Sequence, residues 1–247
     1  MNHEKPENNT AGQPAQKRIR LLIIDDHPFV RESLGLLLRS ERDIEVCGGA
    51  ADLAECMAAI PTANPDVLLV DISLAKGANG LELLKTVHKQ YPGLAALVFS
   101  RHPESLYGER AIRAGARGYL EKQAATDNLA DAIRTVMKGR LYVSAELAQK
   151  ILRRMPSEDR GMEGQDCGFA DTAKKVATLS DRELEILELC GRGIPRSEAA
   201  ANLRISPKTY DVHRIAVMKK LALKDADDFT AFSRRWFASE QNGPKPE

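Results

Sequence analysis

The sequence has few cysteines, few aromatic residues and no long apolar run. Its 247 residues include four cysteines and only 5% aromatic residues. Cys47, Cys56, Cys167 and Cys190 form no CxxC pair and have no histidine at zinc-site spacing, which favours reduced structural thiols. No stretch reaches the roughly 18 apolar residues of a membrane-spanning helix, and the amino terminus lacks the apolar segment of a signal peptide. We therefore expect a cytoplasmic protein with no membrane partner.

A dominant charge is also missing from the chain as a whole. Lysine and arginine number 36, aspartate and glutamate 35, and the net charge is +1. The whole molecule thus has no field that would mark it as a binder of polyanions. A content of 43% hydrophobic and 29% charged residues is typical of a soluble globular protein. The length allows one large domain or two modest ones.

Short apolar runs alternate with amphipathic segments over residues 19–140, after a polar segment, 1–18, that we predict to be a flexible leader. The runs IRLLII, IEVCG, VLLVD, ALVFS and GYL predict five strands, and the helical periodicity covers 28–39, 52–60, 80–89, 104–114 and 126–138. Strands without polar alternation are buried on both faces. The pattern therefore predicts an α/β domain with a five-stranded parallel sheet between helical layers.

The remainder of the chain shows no strand pattern. Residues 141–175 predict a connector helix followed by a polar linker rich in glycine and aspartate. Four helical patterns follow, within 181–193, 195–203, 206–221 and 225–239. We predict a small all-helical domain over residues 176–240 and a flexible tail over 241–247.

Charged and hydroxyl side chains stand where the predicted strands end. Asp25 and Asp26 follow the first strand, Asp71 ends the third, and Ser100 and Lys122 follow the fourth and fifth. Ligands of open parallel sheets bind at this edge, so these side chains should converge. Three carboxylates together need a cation, and an oxygen-only site suits Mg²⁺. The set predicts a carboxylate, Asp71, that accepts a phosphoryl group while Mg²⁺ and Lys122 balance the charge.

This arrangement resembles the receiver domain of response regulators. The shared features are the acidic pair after strand one, the aspartate of VLLVDISL, the serine after strand four and the lysine of GYLEK. The resemblance implies a flavodoxin-like sheet of order 2-1-3-4-5, an order for which a receiver is itself a standard example. It also implies a sensor histidine kinase as the phosphoryl donor.

The family resemblance assigns roles to individual residues. Asp71 would be the phosphoacceptor, and Lys122 would contact the phosphoryl group. Ser100 and Tyr119 would form the switch pair. The metal ligands would be Asp25 through water, and Asp26, Asp71 and the backbone carbonyl of Ser73 directly.

The sequence departs from the usual receiver pattern near the phosphoacceptor. Residue 101 is arginine where a small residue is usual, and Ala75 replaces a common proline. Gly80 arrives one residue late, which predicts a longer loop. His102 is close enough to Ser100 to influence attack by water, so the phosphoryl lifetime is open. His27, beside the acidic pair, is interpreted as a loop residue.

The helical domain contains a basic segment that the neutral total conceals. Residues 192–220 include seven basic and two acidic residues, a net charge of +5. Such a segment is typical of proteins that contact the DNA backbone, although a solvated helix face has the same composition. In the helix starting after Ser206, Tyr210, His213, Val217 and Leu221 form one stripe, which we expect to pack inward.

The opposite stripe of that helix predicts a DNA contact. Exposed Val212 and Ile215 on a basic helix fit a major groove, where apolar groups meet thymine methyls. The predicted DNA-binding residues are Lys208, Thr209, Asp211, Val212, Arg214, Ile215 and Lys219.

The spacing L-S-x-R-E, then E-A-A, I-S, K-T, V-H and K-L, resembles the LuxR-type helix-turn-helix. With the receiver, the resemblance to NarL/FixJ-type regulators covers roughly residues 19–240. It implies a homodimer that binds two half-sites of double-stranded DNA about one turn apart. Tyr210 replaces a usual valine and Asp211 a frequent basic or polar residue, so base preference does not transfer.

Three hypotheses follow. In the first, phosphorylation of Asp71 controls DNA binding by a two-component transcriptional regulator that is not an enzyme. In the second, the receiver of the same DNA-binding protein is a phosphorylation-independent interaction module. The third, an α/β hydrolase or phosphatase with a helical appendage, shares the carboxylate pocket but lacks the DxD spacing and any G-x-S-x-G elbow.

Overall fold

The computed structural model describes residues 18–74, 79–154, 175–176 and 178–241. The predicted leader except Arg18, residues 75–78 of the loop after Asp71, most of the predicted linker and most of the tail lie outside the described residues.

The first part of the chain folds as a five-stranded parallel sheet with helices on both faces. The strands are β1 Ile19–Ile24, β2 Ile44–Ala50, β3 Val67–Val70, β4 Ala95–Ser100 and β5 Gly118–Glu121. Their order in the sheet is β2-β1-β3-β4-β5, and every pairing is parallel. The predicted fold and strand order are confirmed.

Five helices follow the strands in turn. They are α1 Pro28–Leu37, α2 Leu53–Ala63, α3 Gly80–Gln90, α4 Glu104–Arg113 and α5 Ala125–Met137. Each lies within three residues of its predicted bounds. The end of α2 differs most, because Pro61 sits inside the helix and Asn64, in the left-handed region at φ 41°, ends it.

The two faces of the sheet explain why its strands show no polar alternation. Leu22 and Ile24 of β1 belong to one buried cluster, while Leu21 and Ile23 belong to another on the opposite face. Each strand therefore needs apolar residues at consecutive positions, because helices remove both faces from water.

The second part of the chain is entirely helical among the described residues. Its helices are α6 Ala145–Arg154, α7 Asp181–Gly191, α8 Arg196–Asn202, α9 Pro207–Leu221 and α10 Ala226–Gln241. A capping box of Ser180 and Glu183 starts α7, and the Ser206 side chain accepts the Thr209 N–H at the start of α9. Both caps satisfy N–H groups that the first turn leaves without helical partners.

The helical domain packs directly against the α/β domain. Its buried residues Leu184, Tyr210 and Phe229 belong to the same apolar cluster as Leu81 and Tyr107 of the α/β domain. At the carboxyl-terminal edge of the sheet, Glu188 of α7 contacts His102, and Arg204 of the turn between α8 and α9 pairs with Asp26. The sequence analysis made no prediction of this packing.

The remaining sequence expectations concern thiols and membranes. Cys47, Cys56 and Cys190 are free, while Cys167 lies outside the described residues. Burial raises the pKa of the Cys56 thiol to about 11, so this thiol stays protonated. In the part of the chain that the structure describes, every helix is too short or too polar to cross a bilayer.

Candidate functional site

Lys122 joins two buried carboxylates at the carboxyl edge of the sheet. Its Nζ lies 2.8 Å from Asp25 Oδ2 and 2.6 Å from Asp71 Oδ2. The two aspartates are only 2% and 3% exposed. The structure thus brings these three predicted residues into one pocket. Because burial removes the two carboxylates from water, the Lys122 ammonium compensates their negative charge instead.

The backbone fixes both aspartates by extending the sheet. The N–H of Asp25 donates to Ala50 O at 3.1 Å, and that of Asp71 donates to Ile24 O at 2.9 Å. Gly80 supports this arrangement because a β-carbon there would lie 2.1 Å from the carbonyl oxygen of Asp71. The late glycine of the sequence is therefore required by a close approach of α3 to the end of β3 at Asp71.

The Asp71 carboxylate is more basic than an ordinary aspartate. Burial raises the pKa of Asp71, and the Lys122 ammonium opposes the increase without cancelling it. Its Oδ1 accepts the N–H of Ser73 at 3.2 Å. A desolvated carboxylate with a raised pKa is a better nucleophile than a solvated one, and its cation partner keeps it ionised.

A hard divalent cation fits the acidic side of the pocket. Ligand atoms of Asp25, Asp26 and His27 all lie within 4.8 Å of one another. Asp26 Oδ1 is buried and, among the described residues, accepts no hydrogen bond, although His27 Nδ1 lies 2.8 Å away. A buried carboxylate oxygen without a donor suits a metal ion. His27, interpreted from sequence as a loop residue, thus contacts both acidic side chains; its adjacency to the pair was the available signal.

Ser100 and Tyr119 lie next to the pocket on neighbouring strands. Ser100 is completely buried, and its Oγ accepts the His102 N–H at 3.2 Å. The Tyr119 ring is buried as well, and its hydroxyl donates to His102 O at 2.8 Å. Burial raises the pKa of Tyr119 well above its usual range, so this hydroxyl remains a donor. The aromatic member of the predicted switch pair is turned inward in this structure.

His102 connects the α/β domain to the helical domain. Its Nε2 lies 2.7 Å from Ser73 Oγ, and its Nδ1 lies 2.8 Å from Glu188 Oε2 on α7. Burial acts to raise the pKa of Glu188, but the interactions with His102, Arg192 and Tyr107 together outweigh it and leave that pKa below the ordinary value. Glu188 is therefore ionised in the interface. A link between domains is a role of His102 that sequence reasoning missed.

Two arginines make further contacts across the interface. The Arg110 Nη1 of α4 donates to Leu179 O and to Asp181 Oδ1, both at 2.8 Å. In the opposite direction, Arg204 of the turn between α8 and α9 forms an ion pair with Asp26. A cleft of about 380 Å³ remains between the domains, and the exposed Arg101 lies on its wall.

The predicted DNA-binding helix, α9, has one buried and one exposed side. Tyr210, Val217 and Leu221 are buried as predicted, and His213 is half-buried. Outward, Val212 is 60% and Ile215 48% exposed, which is unusual for large apolar side chains. The α/β domain packed against the helical domain leaves this exposed stripe in contact with solvent.

The cations of the basic segment, residues 192–220, fall into two groups according to whether they form ion pairs. Five of its seven cations have carboxylate partners: Arg192, Arg196, Arg204, Arg214 and Lys220. Lys208 and Lys219 are exposed and form no ion pair with the described residues. Asp211, predicted to contact DNA, is partly buried and pairs with Arg196 and Arg214.

Comparison with known proteins identifies both domains. Residues 21–134 match the response regulator receiver domain, and residues 177–232 match the bacterial regulatory proteins of the luxR family. The chain is 34% identical over 215 residues to the oxygen regulatory protein NreC of Staphylococcus aureus strain RF122. The aligned residues make up 87% of this chain and 96% of that protein. NreC of strain MRSA252 has the same identity and coverage.

Solved structures share the fold. RcsB of Salmonella typhimurium superimposes with a TM-score of 0.58 at 22% identity, over 91% of this chain and 98% of that one. A LuxR-family two-component response regulator from Aurantimonas sp. SI85-9A1 is 29% identical, with a TM-score of 0.51 over 56% of this chain and 97% of that one. The chain therefore belongs to the response regulators of two-component systems, in the group that joins a receiver domain to a LuxR-type helix-turn-helix domain.

Proposed function

We propose that Asp71 of this response regulator accepts a phosphoryl group from a sensor histidine kinase and thereby controls DNA binding by the helix-turn-helix domain. The proposal divides the chain into a receiver over residues 19–140, a connector over 141–175 and a DNA-binding domain over 176–240. The observation that carries it is the buried Lys122 ammonium, which lies within hydrogen-bond distance of both Asp25 and Asp71.

The transfer step follows from the chemistry of Asp71. A carboxylate oxygen of Asp71 attacks phosphorus, an O–P bond forms, and the N–P bond to the donor imidazole breaks with its electron pair going to nitrogen. Burial raises the pKa of Asp71 and so increases its basicity, while Lys122 stabilises the negative charge that the phosphoryl oxygens bring. Ser100, at the end of β4, is the hydroxyl proposed to donate to those oxygens.

The acidic side of the pocket would hold Mg²⁺. Asp26, Asp71 and the Ser73 carbonyl are the proposed direct ligands, and Asp25 the ligand through water. Bound Mg²⁺ would neutralise negative charge on the phosphoryl oxygens. Support comes from the buried oxygen of Asp26 that lacks a hydrogen-bond donor among the described residues.

Phosphorylation would change the charge beneath the helical domain. Replacement of the Asp71 carboxylate by a phosphoryl dianion would add about one negative charge beside Ser73 and His102, which link the pocket to Glu188 of α7. Movement of Ser100 toward the phosphoryl group would alter the hydrogen bonds that Ser100 and Tyr119 share with His102. We expect this local change to weaken the domain interface, since it biases a two-state contact.

The exposed stripe of α9 would enter the major groove as a recognition helix. Its proposed contacts are Lys208, Thr209, Asp211, Val212, Arg214, Ile215 and Lys219. Two copies of the chain would bind paired half-sites; a solved structure of the fold relative RcsB is described as two RcsB dimers bound to two parallel DNAs.

Retention of genomic DNA fragments, with and without phosphorylation, tests the proposal. The protein is incubated with MgCl₂ and a small acyl phosphate, and phosphorylation is followed by intact-protein mass. We expect a mass gain and a change in the retained fragments, both lost in Asp71→Asn.

Two other outcomes would replace the proposal. Fragment retention without any mass gain would favour the phosphorylation-independent module. Continuous turnover of a phosphate ester that requires Asp71 would instead identify a phosphatase.

A further inference from the structure

Asp26 is the one acidic pocket residue whose cation partner comes from the other domain. Its side chain is 2% exposed, and Oδ2 forms an ion pair with Nη1 of Arg204. Asp25 and Asp71 instead share Lys122 of their own domain. Among the described residues, Lys122 is the receiver cation that pairs with these carboxylates, and Arg204 of the helical domain is the second. The Arg31 guanidinium of the receiver contacts the backbone carbonyl of Asp25 instead of a carboxylate.

The local charges show what could replace Arg204. Three carboxylates with Lys122 alone carry a net charge of −2, counting His27 as neutral, and the Arg204 guanidinium reduces this to −1. A divalent cation in place of Arg204 would neutralise more of this negative charge, because it carries two positive charges and the guanidinium carries one. Two cations at the same carboxylate would repel each other strongly at such a buried position.

Arg204 is held in place by its backbone. It occupies the left-handed region, with φ 52°, and its N–H donates to Ala201 O at 2.9 Å. The preceding carbonyl, of Leu203, accepts Arg182 Nη2 at 3.0 Å. The backbone of the turn is therefore held in place. The Arg204 guanidinium leaves Asp26 only if the whole turn moves or if the arginine side chain changes its conformation.

We propose that Arg204 is an internal cation that competes with a divalent metal ion for Asp26, so that metal binding in the receiver opposes docking of the helix-turn-helix. The inference rests on the proposed metal site. It adds that the DNA-binding domain itself sets the metal affinity of the receiver. Because coupling is reciprocal, metal binding weakens the contact of the turn by the same factor that docking weakens metal binding.

Titration of the full-length, unphosphorylated protein with MgCl₂ by calorimetry at constant ionic strength tests the competition. Arg204→Asn removes the cation, and asparagine tolerates the left-handed backbone of this position. We expect this variant to bind Mg²⁺ at least about fivefold more tightly than the wild type, within the usual range of coupling between sites. Arg204→Lys, which keeps a cation, should remain closer to the wild type.

A matched control removes an arginine elsewhere in the same domain. Arg235 of α10 is exposed, and Arg235→Ala should leave Mg²⁺ affinity unchanged if the effect depends on contact with Asp26. Equal affinities of the wild type and Arg204→Asn would overturn the competition while leaving the metal site intact. Absence of Mg²⁺ binding from all four proteins would refute the metal site itself, and with it that part of the proposed function.

A second measurement follows the guanidinium directly. In protein labelled with ¹⁵N-arginine, the Arg204 Nε–H signal is identified by its loss in Arg204→Asn. Saturating MgCl₂ should move this signal to the position of a solvent-exposed arginine, and Asp26→Asn should place it there without metal. A signal that stays unchanged while Mg²⁺ binds would contradict the proposal.

Discussion

The acidic pocket and the outward face of α9 are both charged, but they differ in the burial and ion pairing of their charged side chains. Asp25 and Asp71 are almost fully buried and share a cation within hydrogen-bond distance. Lys208 and Lys219 are exposed and lack ion pairs with the described residues. Buried charge must be compensated inside the folded chain because desolvation is costly, whereas exposed charge is solvated and remains available to a partner.

This difference indicates what kind of ligand each charged region can bind. The pocket gains from a ligand only if that ligand brings compensating charge, as a metal ion and a phosphoryl group do together. On the proposed function, the α9 face would bind DNA by replacing the counterions around it, without prior rearrangement of its lysines. Arg204 belongs to the basic segment by sequence but to the acidic pocket by contact.

Removal of the phosphoacceptor should have the largest effect. Asp71→Asn replaces the nucleophilic carboxylate with an amide, so we expect complete loss of the mass gain with a small acyl phosphate and Mg²⁺. Asp131→Asn, at an exposed aspartate of α5, is the matched control and should phosphorylate normally. Retention of the mass gain in Asp71→Asn would assign phosphorylation to another residue and remove the basis of the comparison.

Removal of the buried cation should mainly affect stability. Lys122→Ala leaves Asp25 and Asp71 without their shared partner, and we expect the free energy of unfolding at pH 7 to fall by about 3 kcal/mol. Chemical denaturation measures the change. Lys85→Ala, which breaks an exposed pair with Glu82, should cost far less.

The same variant has a defined pH dependence. Burial already raises the pKa of Asp71, and loss of the Lys122 ammonium raises it further. A carboxyl group with a higher pKa in the folded state binds protons more tightly there than in the unfolded chain. The deficit of Lys122→Ala relative to the wild type should therefore shrink as the pH falls through the folded-state pKa of Asp71, where that carboxyl becomes protonated, and level off at pH values above it. A deficit independent of pH would show that these carboxylates are not what Lys122 stabilises.

Removal of the exposed cations should affect DNA binding and leave stability unchanged. A Lys208→Ala, Lys219→Ala double variant loses two proposed phosphate contacts, so the slope of log affinity against log salt should decrease by about two. Binding to one retained fragment at several salt concentrations provides the slope. The single variant Arg235→Ala tests an exposed cation of α10, for which no change is expected. An unaltered slope in the double variant would exclude this stripe from the DNA interface.

The smallest effect is expected at the start of α9. Ser206→Ala removes the side chain that accepts the Thr209 N–H at 3.0 Å, and loss of such a cap costs about 1 kcal/mol. Thermal unfolding monitors the change. Ser105→Ala, an exposed position inside α4, should be neutral, because no cap is lost there. Equal effects of the two substitutions would show that the cap contributes nothing to the stability of the domain.

Local patterns predicted most of the elements. Consecutive apolar residues in β1 indicate burial on both faces, and Leu21 and Leu22 do lie in different clusters. The predicted helical pattern within 181–193 corresponds to α7, whose start is fixed by the S-x-x-E capping box of Ser180 and Glu183. These signals are readable because they depend on neighbours within a few residues or on the solvent exposure of a whole face.

The contacts between domains had no such signal. His102 was expected to influence attack by water, and nothing in its neighbourhood along the chain points to Glu188 of α7. Within the helical domain, the pairing of Asp211 with Arg196 of the preceding helix likewise had no signal in the sequence, while the predicted DNA contact of Asp211 stays a prediction. Partners separated by many residues depend on how helices pack, and charge spacing along one helix does not determine that.

By itself, the sequence determined the strand order through its family resemblance, the convergence of Asp25, Asp71 and Lys122 at one sheet edge, and the two faces of α9. The convergence follows because parallel strands bring their carboxyl ends to one edge of the sheet. The two faces of α9 follow because helical periodicity separates them. Only the tertiary structure decided that the helical domain covers the pocket and that Arg204 compensates Asp26. That contact joins residues 178 positions apart, because complementary surfaces of two packed domains place them together.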